Sequence, residues 1–493
     1  MLGLRSYRKP MPSHARLSGR IVLQLHLMRS RSTLKILVAS AFILTILAGA
    51  ATAKPPNIVV FLSDDLGRLD TSIHGSPDAR TPNLAALAAS GMTFENAYVA
   101  SPSCCPNRFS LLTGLMPARH GAHPNHSQPK PGTQFLLPLL KQRGYHIASF
   151  GKVAHGRNTM PGADYNSPPP RDMAANVRKH FADRKVDGPV CLLVGDRRPH
   201  VPWIQDSTYD PNRITLPPYF IDTPETRAHW ARYLTDITGM DEELGRIYEF
   251  AKSRFGEDVL FLFSSDHGGQ WHMGKWNLYD SGARVPLVVS WPGKIKAGVR
   301  SQAMVSWVDL LPTLLDAAGV PSPDGIDGRS FLPVLSGEAA SHRDRIYTTH
   351  TGDGALNVFP IRALRFESFK LIHNLRPYAW FTNHSDRFRK DGAGAFWNSW
   401  DAAAKRDPSA KQILDRYYTR SEWEFFDLNA DPRELHNQID RQEYEAVIDV
   451  MKKELAAWIR EQGDDEKAHR EPYLRSQPIP EMKPTPKRRK AGK

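Results

Sequence analysis

Asn57-Ile58-Val59-Val60-Phe61-Leu62-Ser63-Asp64-Asp65 is the stretch that decides the fold, because an apolar run ends abruptly in two acids. An uninterrupted run of this kind is typical of a strand buried on both faces of a parallel sheet. The run Val259–Ser265 repeats the pattern and ends in Asp266-His267. Further strands are predicted at 145–150 and 190–194, with helices between them. This alternation predicts an α/β sandwich around a mainly parallel sheet.

The pattern changes after about residue 340. Short runs at 362–366, 369–373 and 424–428 alternate in the way that is typical of antiparallel strands. Residues 441–461 have the spacing of an amphipathic helix. A smaller C-terminal α+β domain with an antiparallel sheet is therefore expected beside the large one.

The first 53 residues have the composition of an export signal. Basic residues precede the apolar run 36–47, and Ala51-Thr52-Ala53 provides a cleavage site after Ala53. A signal peptide of this kind would begin at Met28, which is therefore the predicted translation start. The apolar run is short for a membrane span, so we predict a periplasmic or secreted protein with no stable membrane span, an uncleaved anchor being the alternative.

Four parts of the chain follow from these patterns. They are a signal region at 1–53, a large α/β domain at 54–340, a smaller α+β domain at 341–463 and a basic tail at 464–493. The tail is polar and rich in Pro, Lys and Arg, so it is predicted to be disordered.

The charge of the chain is concentrated at its ends. The formal net charge is +13, but residues 1–53 carry eight Lys/Arg without an acid and residues 483–493 carry six more, which leaves −1 for the rest. A nucleic-acid partner is therefore not indicated. The three cysteines, Cys104, Cys105 and Cys191, do not imply a disulfide framework.

Two strand ends carry metal-binding side chains. The carboxyl ends of parallel strands meet at one edge of a sheet, where ligands bind. Asp64, Asp65 and Asp266 are expected to converge there with His267, and three carboxylates would repel one another without a cation. Oxygen ligands favour Ca²⁺ or Mg²⁺, while His267 leaves another divalent metal open. A solvated turn is the alternative for either pair alone.

The stretch Ser103-Cys104-Cys105-Pro106-Asn107-Arg108-Phe109-Ser110-Leu111-Leu112-Thr113-Gly114 is predicted to be a turn that opens a helix. Pro106 suits an early helical position, and Gly114 suits the end. Cys104 then lies just before the helix N-terminus, where free N–H groups favour an anion. Arg108 follows one turn later. A buried thiol beside a surface arginine is the alternative.

The order Cys-x-Pro-x-Arg followed by Leu-Thr-Gly resembles the signature of the type I sulfatases of the alkaline phosphatase superfamily. The resemblance implies an alkaline-phosphatase-like fold and the oxidation of Cys104 to formylglycine (3-oxoalanine), whose hydrated aldehyde is the nucleophile. It also implies a partner that performs this conversion, a formylglycine-generating enzyme or an anaerobic sulfatase-maturating enzyme. Asn107 stands where the family usually has Ser or Ala.

The same resemblance implies a metal site and a set of catalytic residues. The implied ligands of Ca²⁺, or of Mg²⁺ or another divalent metal, are Asp64, Asp65, Cys104, Asp266 and His267, the last of which is Asn in many relatives. The resemblance also implies five catalytic residues. Arg108 would hold the nucleophile, and Lys152 and Lys275 would bind sulfate. His155 would handle the hydroxyl of the nucleophile, and His200 would be the general acid for the leaving group.

Several stretches narrow the resemblance to the heparan N-sulfatases (N-sulfoglucosamine sulfohydrolases). They are 209–211, 217–220, 222–225, 370–375 and 423–428. Gly151-Lys152-x-x-His155 and Asp266-His267 are instead similar to the iduronate-2-sulfatases. His350, Asp353 and Arg362 are expected to line the sugar pocket. We therefore expect an exported sulfatase that removes the N-sulfate of a sulfated carbohydrate.

The residues leave three other functions open. A carbohydrate O-sulfatase would use the same site on a different bond. A phosphatase or phosphonate hydrolase would favour Ser or Thr as the nucleophile and more metal ligands. A pseudoenzyme would retain Cys104 unconverted and bind a glycan without turnover. The sequence does not indicate an oligomeric state.

Overall fold

Two sheets organise the part of the chain that the computed structural model describes, residues 54–155, 160–168 and 172–479. The predicted export signal lies outside these residues. The described residues from Pro56 onward form one compact unit. Within the described ranges, each helix is too short or too polar to cross a bilayer.

The large sheet contains eight of the described strands, and the small sheet contains four. The strands of the large sheet are β1 (Asn57–Ser63), β2 (Met92–Tyr98), β3 (His146–Gly151), β4 (Tyr165–Ser167), β5 (Val190–Gly195), β6 (Val259–Ser265), β7 (Leu287–Ser290) and β8 (Val299–Ser306). Those of the small sheet are β9 (Arg345–His350), β10 (Ile361–Phe366), β11 (Phe369–Asn374) and β12 (Trp423–Asp427).

Helices cover the sheets and connect the strands. The α-helices are α1 (Pro82–Ala89), α2 (Cys104–Thr113), α3 (Pro117–His120), α4 (Leu136–Gln142), α5 (Met173–Ala182), α6 (Pro224–Phe255), α7 (Asp280–Ala283), α8 (Leu310–Ala317), α9 (Leu332–Leu335), α10 (His384–Phe388), α11 (Trp397–Ala404), α12 (Pro408–Tyr418) and α13 (Glu445–Glu461). Short 3₁₀ helices occur at Arg68–Asp70, Ser72–His74, Trp307–Asp309 and Gln442–Tyr444.

Strand β1 lies in the middle of the large sheet, whose order is β4-β3-β5-β1-β6-β7-β2-β8. It runs parallel to β5 and β6, while β7 is antiparallel to its neighbours β6 and β2. Val59 and Phe61 pack into the apolar cluster on one face, and Ile58, Val60 and Leu62 pack into the cluster on the other. Because both faces of β1 are covered, the predicted α/β sandwich is confirmed.

The small sheet is antiparallel, in the order β12-β11-β10-β9. Helix α13 packs against it through Ile448, Met451 and Leu455, which contact a cluster that includes Leu364 and Leu371. The predicted amphipathic helix is therefore present, and its apolar stripe is the surface that joins it to the sheet.

The first part of the predicted tail is ordered against this domain. Asp464 pairs with Arg362 inside the protein, and Leu474 forms a β-bridge with Ala379. The amide of Trp380 donates to the carbonyl of Tyr473 at 2.7 Å. The prediction of disorder from residue 464 is therefore wrong for 464–479, because a buried ion pair and backbone pairing outweigh the polar composition. Residues 480–493 lie outside the described part.

We expect Asp464→Ala to lower the free energy of unfolding by about 3 kcal/mol, since it leaves the guanidinium of Arg362 buried without its carboxylate. Both side chains are fully buried. Urea unfolding followed by circular dichroism measures the change. Asp465→Ala is the matched control, because this neighbouring side chain is 51% exposed and pairs only with Lys467. Equal effects of the two substitutions would contradict the anchoring role.

Candidate active site

The register between β1 and β6 brings the two predicted strand-end pairs together. Ser63 lies opposite Ser265 in this parallel pair, so Asp64 and Asp266 leave the sheet at the same edge. The amide of Asp65 donates to Asp266 Oδ1 at 3.1 Å. The convergence that we predicted at the carboxyl ends of the strands therefore exists in the fold.

Four buried residues form a group that could hold a metal ion. One ligand atom from each of Asp64, Asp65, Cys104 and His267 lies within 4.8 Å of the others. Two carboxylates, a sulfur and an imidazole suit a divalent cation. Asp266 lies outside this group of four, because its carboxylate accepts from Arg108 Nε at 2.9 Å. Its role as a metal ligand stays a prediction.

Asp65 adopts a backbone conformation that side chains rarely take. Its φ of 70° is in the left-handed region, where a residue other than glycine costs free energy unless its surroundings hold it. Tyr233 Oη donates to its carbonyl at 3.0 Å, and Lys275 Nζ contacts its carboxylate at 2.9 and 3.1 Å. These contacts hold the Asp65 carboxylate at the metal group.

Cys104 is the first residue of α2, whose N-cap is Ser103. Its sulfur lies 3.3 Å from Lys152 Nζ and 3.3 Å from His267 Nε2. Burial alone would raise the pKa of the thiol, but Lys152 and Lys275 lower it well below its usual range. The side chain at position 104 therefore lies where negative charge is stabilised by both the helix N-terminus and two lysines.

Arg108 crosses the floor of the site from the second turn of α2. Its guanidinium is fully buried and donates to Asp266 and to Asp64 Oδ1, the latter at 3.2 Å. It also donates to the backbone carbonyl of Lys152. One side chain thus ties the helix of Cys104 to β1, β6 and the end of β3.

Acidic and basic side chains pair with one another in the buried site. The three carboxylates, Asp64, Asp65 and Asp266, are matched by Arg108, Lys152 and Lys275. Burial would raise the pKa of Asp64, but Lys152 and the other nearby cations hold it well below its usual range. The lysines that we expected to bind sulfate thus also neutralise the carboxylates.

Three histidines, His126, His155 and His200, lie near this centre. His200 is half-buried, and its Nδ1 lies 2.6 Å from the carbonyl of Val201. His155 Nε2 lies 2.7 Å from Nδ1 of His126. Asp353 is the main cause that raises the pKa of His126, while burial lowers the pKa of His155 to about 4. His126 is therefore the better donor in this pair, and His155 the better acceptor.

Sequence reasoning missed Asn125 and His126. Asn125 accepts from the amide of Cys105 at 3.0 Å and donates to Asp353 at 2.8 Å. Nε2 of His126 lies 3.5 Å from Oδ1 of Asp353. A signal was present, because His120, His123 and His126 recur at every third position soon after the signature helix.

The three predicted sugar-pocket residues support the loops of the site. Asp353 is buried and accepts from Trp276 Nε1 at 3.0 Å. His350 is buried against Asn357 at 2.6 Å, and Arg362 pairs with Asp464. His350 and Arg362 are 1% and 0% exposed, and the expectation that these residues line the sugar pocket stays a prediction.

A cavity of about 480 Å³ adjoins the histidines. Its lining includes Asn125 and His126 on one side and Gly352 and Asn357 on the other. His469 and Arg470, from the segment predicted to be disordered, complete part of its wall. The ordered end of the chain thus contributes an imidazole and a guanidinium to the space beside the site.

Comparison with known proteins identifies the family. The model of the sulfatase family matches residues 56–320, and a model described as N-sulphoglucosamine sulphohydrolase, C-terminal, matches residues 268–385. The chain is 27% identical to an ulvan-active sulfatase of Formosa agariphila, over 84% of this chain and 82% of that protein. It is 28% identical to human N-sulphoglucosamine sulphohydrolase, over 85% of this chain and 93% of that protein.

A solved structure shares the fold. It shows a protein in complex with its substrate D-glucosamine-2-N,6-O-disulfate, and it superposes with a TM-score of 0.65 at 20% identity, over 85% of this chain and all of that one. The family match covers more than half of the chain and includes both strand-end pairs and the signature helix. The protein therefore belongs to the sulfatase family, and it is a hydrolase.

Proposed function

We propose that the protein is an exported N-sulfoglucosamine sulfohydrolase that acts on heparan-type carbohydrate through a formylglycine made from Cys104 and a Ca²⁺ ion. The observation that carries the proposal is the position of Cys104. It begins a buried helix, it contacts Lys152 and His267, and its sulfur lies 3.8 Å from Asp64. A nucleophile, cations for the sulfate oxygens and a metal group thus share one buried centre.

The donor set supports a divalent metal held by Asp64, Asp65, His267 and the side chain at position 104, with Asp266 as a further predicted ligand. When bound, the metal supplies positive charge to the sulfate oxygens, and the formylglycine hydrate supplies the attacking oxygen. Mg²⁺ or another divalent ion is the alternative to Ca²⁺. Conversion of Cys104 requires a formylglycine-generating or anaerobic sulfatase-maturating enzyme as a partner.

The residues of the chain account for the other requirements of the reaction. Lys152 and Lys275 lie on either side of the aspartate pair and can donate to sulfate oxygens. His155, which is neutral at pH 7, is the residue proposed to handle the hydroxyl of the nucleophile. His200 is the general acid that protonates the departing amine or hydroxyl of the sugar.

The choice of an N-sulfate is supported by two findings. The chain aligns with 93% of human N-sulphoglucosamine sulphohydrolase. The C-terminal model of that family matches residues 268–385, which include Lys275 and the loop around Asp353. The second candidate is a carbohydrate O-sulfatase, which is favoured by the similarity to an ulvan-active sulfatase.

Export is proposed from the sequence of residues 28–53, which have the basic, apolar and A-x-A parts of a signal peptide. The mature protein would begin at Lys54, directly before β1. A periplasmic or secreted location would give it access to sulfated glycans outside the cytoplasm.

Ca²⁺ is expected to raise the thermal midpoint of the protein after treatment with EDTA. At a Ca²⁺ concentration one hundred times the Kd, binding stabilises the folded state by about 2.7 kcal/mol. Asp65→Asn removes the negative charge of one proposed metal ligand. It should therefore reduce the Ca²⁺-dependent increase in the thermal midpoint. Asp258→Asn, at an exposed site, is the matched control. An unchanged Ca²⁺ response in Asp65→Asn would contradict the metal site.

Enzyme produced with a formylglycine-generating enzyme should release sulfate from N-sulfoglucosamine, and much less from 6-O-sulfated glucosamine or 2-O-sulfated uronic acid. Cys104→Ala should abolish release, because it removes the precursor of the nucleophile. Cys105→Ala is the control, since this thiol contacts the carbonyl of Ser127. Release from O-sulfated sugars alone would replace the N-sulfatase proposal with the O-sulfatase one.

His200→Gln should lower kcat on the sugar substrate by about 10²-fold or more, because the leaving group then departs without a proton. With an aryl sulfate, whose leaving group needs no proton, the loss should be much smaller. A uniform loss on both substrates would argue against the role of general acid.

A further inference from the structure

A second cavity, of about 180 Å³, lies between α12 and the segment 272–279 that follows the metal group. Its lining contains two arginines and two histidines and no aspartate or glutamate. The four are His272, Arg416, Arg420 and His436. The rings of Tyr219, Tyr279 and Tyr417 form much of the remaining wall. The cavity is thus aromatic, and its two arginines give it a positive charge.

Arg416, in the last turn of α12, and Arg420, two residues beyond the end of that helix, contact the same aromatic ring. Their guanidinium carbons are 5.1 and 5.3 Å from the centre of Tyr279. Within residues 54–155, 160–168 and 172–479, neither guanidinium has a carboxylate within 4.0 Å. Arg416 donates to the backbone carbonyl of Glu434, and Arg420 lies 3.8 Å over Phe381. Two adjacent cations therefore lack the anion that would offset their repulsion.

Arg420 and His272 are built into the protein core. Arg420 is 7% exposed and His272 is 3% exposed. Burial is the main cause that lowers the pKa of His272 to about 3, and Arg416 and Arg420 lower it further. Burying a guanidinium without a carboxylate partner costs free energy. The buried Arg420 therefore points to an anion that occupies the cavity.

The wall of this cavity is also the segment that carries Lys275 to Asp65. Arg420 Nη2 donates to Asn277 Oδ1 at 2.6 Å. Asn277 Nδ2 in turn contacts the carbonyls of His272, Gly274 and Lys275 at 3.0 to 3.2 Å. The cavity and the catalytic lysine are therefore attached to the two sides of one hydrogen-bonded loop.

We propose that this cavity is a second, non-catalytic binding site for an oxyanion, a sulfate or carboxylate group held by Arg416 and Arg420. Planar guanidinium groups donate in pairs to such groups. The tyrosine rings would pack against an apolar body attached to the anion. The same chemistry fits a free inorganic ion or an acidic group carried on a sugar, and the volume exceeds that of the ion alone.

Crystals soaked separately in selenate and in glucuronate test the site and its source. Selenate replaces sulfate and is located by anomalous scattering. Selenate between Arg416 and Arg420 would assign the site to a free oxyanion, and glucuronate alone would assign it to an acidic sugar. The absence of both from this cavity, in crystals whose catalytic centre is occupied, would overturn the proposal and leave the sulfatase function intact.

Arg416→Gln tests the same site in solution and keeps the buried Arg420 in place. Loss of one charged hydrogen-bonding partner should weaken binding at the cavity by about tenfold or more. The increase in the thermal midpoint caused by sulfate or glucuronate should therefore shrink. Arg406→Gln removes an exposed arginine next to α12 and is the matched control, with the catalytic centre unchanged in both. Equal responses in both variants and the wild type would contradict the proposal.

Discussion

The burial of three carboxylates at one edge of a sheet is the constraint on which this structure depends. An unpaired buried carboxylate costs several kcal/mol, and Asp64, Asp65 and Asp266 are all fully buried. Arg108, Lys152 and Lys275 offset that cost from three different parts of the chain. Each of these cations therefore has a structural role before any substrate binds.

This constraint explains how the elements around the site are arranged. Arg108 fixes the signature helix against β1 and β6, and thereby fixes Cys104 at the metal group. Lys275 draws the loop after β6 back onto Asp65. Under the proposed function, a divalent metal bound by the same aspartates would free the lysines to donate to sulfate, and one set of charges would then serve both folding and catalysis.

The sequence was sufficient to predict those features that depend on neighbouring residues in the chain. The apolar strands and the acids that end them are contiguous, so the parallel sheet and the convergence of Asp64 with Asp266 could be predicted. Contacts between residues that are distant in the sequence could not be predicted. Lys275 binds Asp65 across 210 positions and Arg362 binds Asp464 across 102, and these pairings depend on three-dimensional placement. His126 was missed for the same reason, because its partners Asp353 and His155 are remote in sequence.

The central claim is that position 104 bears the nucleophile as an aldehyde. Mass spectrometry of the peptide that contains residues 104 and 105, from a fully active preparation, tests it directly. The account predicts formylglycine at 104 and an unmodified thiol at Cys105. Two unmodified cysteines in an enzyme that still releases sulfate would contradict it.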